Sequence, residues 1–199
     1  MIKAVVFDIG GVLFQPGMLY GLFKDLSKKH DVDLQLIRTV FSENWNLSKI
    51  GKLSEMQMWK NIINKTELPY AVEEFAQLVY DFFQPDKEVF EIAKSLKGKY
   101  VLGILSNTVE NWFEYQSRKQ NFSDLFEVIV TSCESGLAKP DVEIYAHLAQ
   151  KLSLEPEEIF FIDDQIRNVV VAKGFGIRAY VFESVERLKL AFKEEGVLL

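Results

Sequence analysis

The sequence predicts an α/β protein built on a doubly wound parallel sheet and interrupted by an all-helical insertion. Three observations carry this. Short, near-continuous apolar runs rich in Val, Ile and Phe recur along the chain and end in polar turns, as strands do when helices cover both faces of a parallel sheet. Helix-length amphipathic segments alternate with these runs after residue 84, the rhythm of a doubly wound fold. Between the first and second runs the rhythm stops, and residues 15–84 show helices without a convincing strand. The expected division is a core of residues 1–14 and 85–199, with residues 15–84 as a separate small helical domain.

The elements follow in order. Ala4–Phe7 is the first apolar run. The insertion then shows four amphipathic faces: Met18/Leu19/Leu22/Phe23/Leu26, Leu34/Ile37/Val40/Phe41, Met56/Trp59/Ile62/Ile63 and Phe75/Leu78/Val79/Phe82, spaced as helices that pack into one bundle. Gly51 marks a turn, and Ser54-Glu55-Met56-Gln57 is an S-x-x-Q capping box opening the third. After Pro85-Asp86 comes a helix with Val89, Phe90, Ala93 and Leu96 inward, then a strand over Tyr100–Leu105 and another over Val128–Thr131. Pro140 opens a helix carrying Ile144, Tyr145, Leu148, Ala149 and Leu152. Ile159–Ile162 and Ala179–Phe182 complete the strands.

Composition narrows the function. With 48% hydrophobic and 26% charged residues in 199, the chain can bury a core and is not disordered. Its 23 basic and 29 acidic residues give −6, which argues against a nucleic-acid footprint. An anionic substrate would need a metal or a local cationic pocket to reverse that mean field. Cys133 is the single cysteine, so no internal disulfide and no cysteine-based zinc site is expected. His30 and His147 stand alone and are expected at the surface or at helix ends. The first apolar run is too short for a signal peptide, and none approaches the ~18 residues of a membrane span. A soluble cytoplasmic protein is the expectation.

In open α/β sheets ligands bind beyond the carboxyl ends of strands, so the residues after each run matter most. These are Asp8-Ile9-Gly10-Gly11, Ser106-Asn107-Thr108, and Asp163-Asp164 with Asn168, together with Gly136-Leu137-Ala138-Lys139-Pro140 before the Pro140 helix. Singly each has a plain structural role. Asp8 suits a turn, Ser106 or Asn107 a helix N-cap, Asp164 another cap, and Lys139 a solvated charge. Adjacent Asp163 and Asp164 are harder to explain, since neighbouring carboxylates repel. Together, one carboxylate at one strand end and two at another suit a hard cation such as Mg²⁺. A hydroxyl, backbone N–H groups and a lysine nearby suit phosphoryl oxygens.

These residues also carry a resemblance to the haloacid dehalogenase (HAD) superfamily, whose four motifs fall at these strand ends in this order. Val5 to Leu13 resembles the first, Leu105-Ser106-Asn107 the second, Lys139-Pro140 the third, and Phe161-Ile162-Asp163-Asp164 with Asn168 the fourth. The resemblance spans the chain, with residues 15–84 in the place of the helical cap. It implies a Mg²⁺-dependent phosphatase acting on a small phosphorylated metabolite. In that reading Asp8 is the nucleophile that forms an aspartyl-phosphate, and Ser106 with the Asn107 amide holds the phosphoryl oxygens. Lys139 bridges Asp8 and the phosphate. Asp8, Asp164 and the Gly10 carbonyl take the metal, with Asp163 and Asn168 in support.

One position departs from the pattern. Family phosphatases usually carry a second aspartate, the general acid and base, where this chain has Gly10. Sensitivity to the leaving group is the expected consequence, because positioned acid catalysis is typically worth about 10²–10⁴-fold. A sugar-1-phosphatase subgroup, which this chain also resembles, shares that Gly. The absent acid admits a metal-independent dehalogenase, which protonates no leaving group, although paired Asp163-Asp164 favours the metal enzyme. A non-catalytic binding protein on the same fold is the other alternative. Phe14, Tyr20, Trp45 and Lys52 are candidate pocket residues, with cap packing or solvated surface as the competing role.

Overall fold

The computed structural model describes residues 1–15 and 18–199, apart from the Met18 side chain. Pro16, Gly17 and the Met18 contribution to the first amphipathic face therefore lie outside the described residues. Five parallel strands, β1 (Ala4–Phe7), β2 (Val101–Ser106), β3 (Val128–Thr131), β4 (Ile159–Asp163) and β5 (Arg178–Val181), form one sheet in the order β3-β2-β1-β4-β5. Each begins and ends within about a residue of its apolar run, because the signal is burial on both faces. Within β1, Val5 and Phe7 join one core cluster and Val6 the other, so the strand feeds both layers alternately.

Helices α1 (Met18–His30), α2 (Leu34–Ser48), α3 (Glu55–Thr66) and α4 (Val72–Asp81) form the insertion. The capping box is present in both directions: Ser54 Oγ accepts from the Gln57 N–H, and the Gln57 side chain accepts from the Ser54 N–H. The chain enters and leaves the insertion side by side, with Gln15 N–H donating to Gln84 C=O at 3.0 Å and Asp86 N–H to Leu13 C=O at 2.9 Å. Helix α5 (Lys87–Leu96) follows, N-capped by Asp86. Then come α6 (Glu110–Gln120), the short α7 (Phe122–Leu125) and α8 (Ser132–Ser135), α9 (Val142–Leu152), α10 (Ile166–Phe175) and α11 (Val185–Glu194). Pro140 does not open α9: Asp141 is the N-cap and Val142 the first helical residue.

The insertion does not keep an apolar core to itself. Aromatic rings run from the sheet side into it: Phe14 on Phe83 at 6.4 Å, Phe83 on Trp112 at 5.4 Å, and Trp112 stacked on Trp45 at 5.3 Å and Trp59 at 5.8 Å. Glu55, 4% exposed, fastens this seam. Its Oε1 accepts from the indoles of Trp59 (2.9 Å) and Trp112 (2.8 Å), and its Oε2 from the Tyr80 hydroxyl (2.8 Å). Burial, then Glu55 itself, pushes the Tyr80 hydroxyl upward, so it remains a donor.

Replacing Glu55 by Ala would strand two buried indole donors, each costly to leave unpaired, and remove the acceptor of a half-buried hydroxyl. Glu55→Ala should destabilise the protein by about 3 kcal/mol, a Tm fall of roughly 6–12 °C. Thermal denaturation measures this directly. A fall under about 2 °C would show that the seam does not depend on Glu55.

Candidate active site

The strand order reverses at β1, between β2 and β4, and the carboxyl ends of these three strands supply the polar residues. Asp8 follows β1 directly, and its Oδ1 accepts from the Ile9 N–H at 2.7 Å. The loop then turns at Gly11, whose φ is +80°. A Cβ there would lie 2.3 Å from Asp164 Oδ2, so only glycine lets the first loop pass against the fourth strand's carboxylate. Gly10 is exposed, and a Cβ on it would meet nothing within 4 Å. Its lack of a side chain leaves open space.

Lys139 is 1% exposed and makes three contacts with its ammonium: Asp8 Oδ2 at 3.0 Å, Asp163 Oδ2 at 2.6 Å and the Leu105 carbonyl at 2.9 Å. Asn107 holds the lysine's backbone from both sides. Its Nδ2 donates to the Lys139 carbonyl at 2.8 Å, and its Oδ1 accepts from the Lys139 N–H at 2.9 Å. The Asn107 side chain thus ties the loop after β2 to the loop before α9, and neither it nor Ser106 caps a helix, since α6 starts later behind Val109. Ser106, 2% exposed, ends β2 beside Thr131 of β3.

Asp163 is 0% exposed and fully engaged. Besides Lys139 it accepts from the Gln165 N–H at 2.7 Å and from Asn168 Nδ2 at 2.9 and 3.0 Å. The Tyr145 hydroxyl in turn donates to the Asn168 carbonyl at 2.9 Å. Asp164 is half-buried, and the only side-chain donor to it among the described residues is Gln165 Nε2 at 2.8 Å. Carboxylate oxygens of Asp8, Asp163 and Asp164 lie within 4.8 Å of one another.

The charges are unbalanced. Burial pushes the Asp8 carboxyl up to about 7, against the pull of Lys139 and with a further push from Asp163. Burial likewise pushes Asp164 up. For Lys139 burial alone would lower the ammonium, but Asp8 and Asp163 outweigh it and the net shift is upward. One ammonium faces three carboxylates, and the donor set is all hard oxygen. Such a donor set could hold a hard divalent cation.

Asp8, Ser106, Lys139 and Asp164 border a cavity of about 270 Å³. Its wall is aromatic: Tyr20 from α1, Phe41 and Trp45 from α2, Phe83, and Trp112 from α6. Tyr20 and Trp45 lie where the sequence suggests. Phe14 and Lys52 do not. Phe14 is fully buried against Phe83, Phe90 and Phe122, and Lys52 is exposed and outside this wall. Trp112 and Gln116 were not legible as site residues, although, four apart in α6, they are its two buried residues. A larger cavity of about 550 Å³ sits between the α2–α3 turn and α6 and shares no wall residue with this one. Size alone does not mark the site.

Known proteins agree with this picture at the level of family. A model of haloacid dehalogenase-like hydrolases matches residues 2–176. The sesquiterpene phosphatase of Aspergillus oryzae is 27% identical over 179 residues, spanning 88% of this chain and 87% of that protein. A HAD family enzyme of Bacteroides thetaiotaomicron, solved with magnesium and inorganic phosphate, has a TM-score of 0.76 at 23% identity, covering 94% of this chain and 99% of that one. The L-2-haloacid dehalogenase of Xanthobacter autotrophicus, with chloropropionic acid covalently bound, has a TM-score of 0.67 at 20% identity, covering 100% and 85%. Likeness this distant speaks for the fold. The family match itself runs from before β1 to the glycine that closes α10, taking in the helical insertion and the strand ends that carry the candidate residues. The chain belongs to the haloacid dehalogenase-like hydrolases.

Proposed function

We propose that this hydrolase is a Mg²⁺-dependent phosphatase that cleaves a small organic phosphomonoester through a covalent aspartyl-phosphate on Asp8. The observation that carries the reading is the charge imbalance: one buried ammonium against Asp8, Asp163 and Asp164, with Asp164 engaged by no cation among the described residues. A dehalogenase, which works without a metal, would gain nothing from that extra carboxylate and would bear its repulsion.

The roles follow from what each side chain has left to offer. Asp8 attacks phosphorus; the new oxygen–phosphorus bond forms as the bond to the leaving oxygen breaks, and water later hydrolyses the acyl phosphate. Lys139 pulls the Asp8 carboxyl toward its ionised form, against burial, and reaches the phosphoryl oxygens. The Ser106 hydroxyl and the Asn107 backbone N–H complete that cradle, since the Asn107 side chain is occupied by Lys139. Asp163 and Asn168 position the lysine and not the metal. Asp8, Asp164 and the Gly10 carbonyl would hold Mg²⁺, which when bound offsets the charge of the phosphoryl oxygens. Residues 15–84 act as the cap, excluding water and presenting the aromatic wall to the leaving group. That wall favours an apolar leaving group over a sugar, and a relative named as a sesquiterpene phosphatase supports the same choice.

A panel of alkyl, aryl and sugar phosphates with and without Mg²⁺, beside haloacids, tests this. Hydrolysis of phosphomonoesters that chelator abolishes is expected, and halide release in chelator would overturn it. Asp164→Ala should raise the Mg²⁺ needed for half-maximal rate by at least about tenfold. Gly10→Asp has room for its side chain. It should help alkyl esters more than aryl esters, because only the former need a proton on the departing oxygen.

A further inference from the structure

A second groove of about 680 Å³ adjoins the catalytic cavity and shares Tyr20, Phe41, Trp45, Asn107 and Arg167 with it. Three cations line it: Arg38 of α2, Lys49 at the C-terminal cap of α2, and Arg167 in the first turn of α10. Among the described residues none of the three has a carboxylate within ion-pair distance. Glu43, also in the groove, is paired with Lys65 at 3.2 Å.

Arg38 and Lys49 are partly buried and poorly satisfied, while Arg167 is exposed at a helix end that disfavours it. Arg38 lies over the Tyr20 ring, 5.5 Å from its centroid, and its Nε is buried without a hydrogen-bond partner. A buried unpaired donor on a charged group calls for an acceptor. Burial and then the Arg167 charge lower the Lys49 ammonium, with exposed Asp141 pulling only partly the other way. Lys49 suits the carbonyl end of α2, but Arg167 sits at the amide end of α10, whose first turn has no acidic residue. Cations are disfavoured there and anions favoured. In a chain of net charge −6, three unpaired cations in one groove have no packing explanation.

We propose that Arg38, Lys49 and Arg167 bind a second anionic group of the substrate, so that the preferred phosphomonoester carries a phosphate or carboxylate at its far end. The aromatic rings shared by the two cavities would line its apolar middle. This rests on the phosphatase reading and adds the class of substrate.

The test compares n-alkyl monophosphates with alkanediol bisphosphates and ω-carboxyalkyl phosphates of matched length, from short to long. At a length that spans both cavities, kcat/KM for an ester with an anionic group at each end should exceed that of its match with a single phosphate by roughly tenfold, after allowance for two reactive ends. The bisphosphate and carboxylate arms distinguish which anion is taken. Arg38→Met and Arg167→Gln should each bring the ratio toward one, and the ratio within each variant cancels any general loss of activity. Raising the salt should shrink the preference in the native protein, independently of any variant. A ratio near one at every length, or a preference that survives both substitutions and high salt, would overturn the proposal alone. Absence of turnover on all these esters would remove the phosphatase reading and this proposal with it.

Discussion

Asp8→Asn should lower phosphatase turnover by at least about 10⁴-fold, the scale expected when a covalent nucleophile is removed, while the fold stays intact. The change is nearly isosteric but removes the attacking oxygen's charge. It also removes one of the two acceptors that Asp8 supplies, to the Ile9 N–H at 2.7 Å and to Lys139 at 3.0 Å. Against that loss stands a gain, because burial holds the Asp8 carboxyl up to about 7 from an ordinary 3.8. A carboxyl raised in the folded state favours folding while protonated, and it costs stability as pH rises from its unfolded value through its folded one. The variant escapes that cost. In metal-free buffer its Tm should stay within roughly 4 °C of the native protein, and the difference should move in the variant's favour as pH rises from 3.8 to about 7. Native turnover in Asp8→Asn would refute the covalent route. A pH-independent difference in Tm would refute the assignment of a strained, buried carboxylate.

What the sequence made legible and what it hid have separate physical causes. Strands buried on both faces leave continuous apolar runs, so β1 and β3 match their runs residue for residue, while β2 and β5 shift by one and β4 runs one residue further. Asp8, Ser106, Asp163 and Asp164 were legible because polar residues closing apolar runs have few reasons to be there, and Lys139 because Lys139-Pro140 before a helix completes the motif order. The capping box was legible because it is local. The cavity wall was legible only at Tyr20 and Trp45, because it is assembled from α1, α2 and α6, far apart in the chain. Helix α6, reading Glu-Asn-Trp-Phe-Glu-Tyr-Gln-Ser-Arg-Lys-Gln, looks solvent-facing, and only its packing shows that Trp112 and Gln116 are buried. Asn107 shows the same limit. Ser106 beside it draws attention to its amide, but the engagement of its side chain by a backbone 32 residues away has no signal in the sequence. Phe14 failed as a pocket residue for a related reason: apolar residues beside a site are drawn to whichever core has a hole, here the cluster of Phe83, Phe90 and Phe122.

Lys139→Met should cost stability as well as activity, and the two losses can be separated. The ammonium, 1% exposed, sits between Asp8 and Asp163, themselves 7% and 0% exposed, and also caps the Leu105 carbonyl. Methionine fills the same length but leaves both carboxylates buried without a cation. Removing one partner of a buried ionic cluster typically costs about 3–5 kcal/mol, a Tm fall of roughly 10 °C for a chain of this size. The pH dependence gives the cause away. With Lys139 gone its downward pull on Asp8 is lost, so the variant should recover stability as acid protonates Asp8 and should be weakest above neutrality. Adding Asp163→Asn removes a charge, and Asn168 and the Gln165 N–H can still bond the amide oxygen. The double variant should therefore be more stable than Lys139→Met alone, a coupling of about 1–3 kcal/mol between the two changes. Turnover should not return with it, because the phosphoryl oxygens still lack their ammonium. If the two substitutions merely add, Lys139 does not hold the carboxylates together. Recovery of turnover along with stability would make the lysine a positioning residue and leave the phosphate to Ser106 and the loop amides.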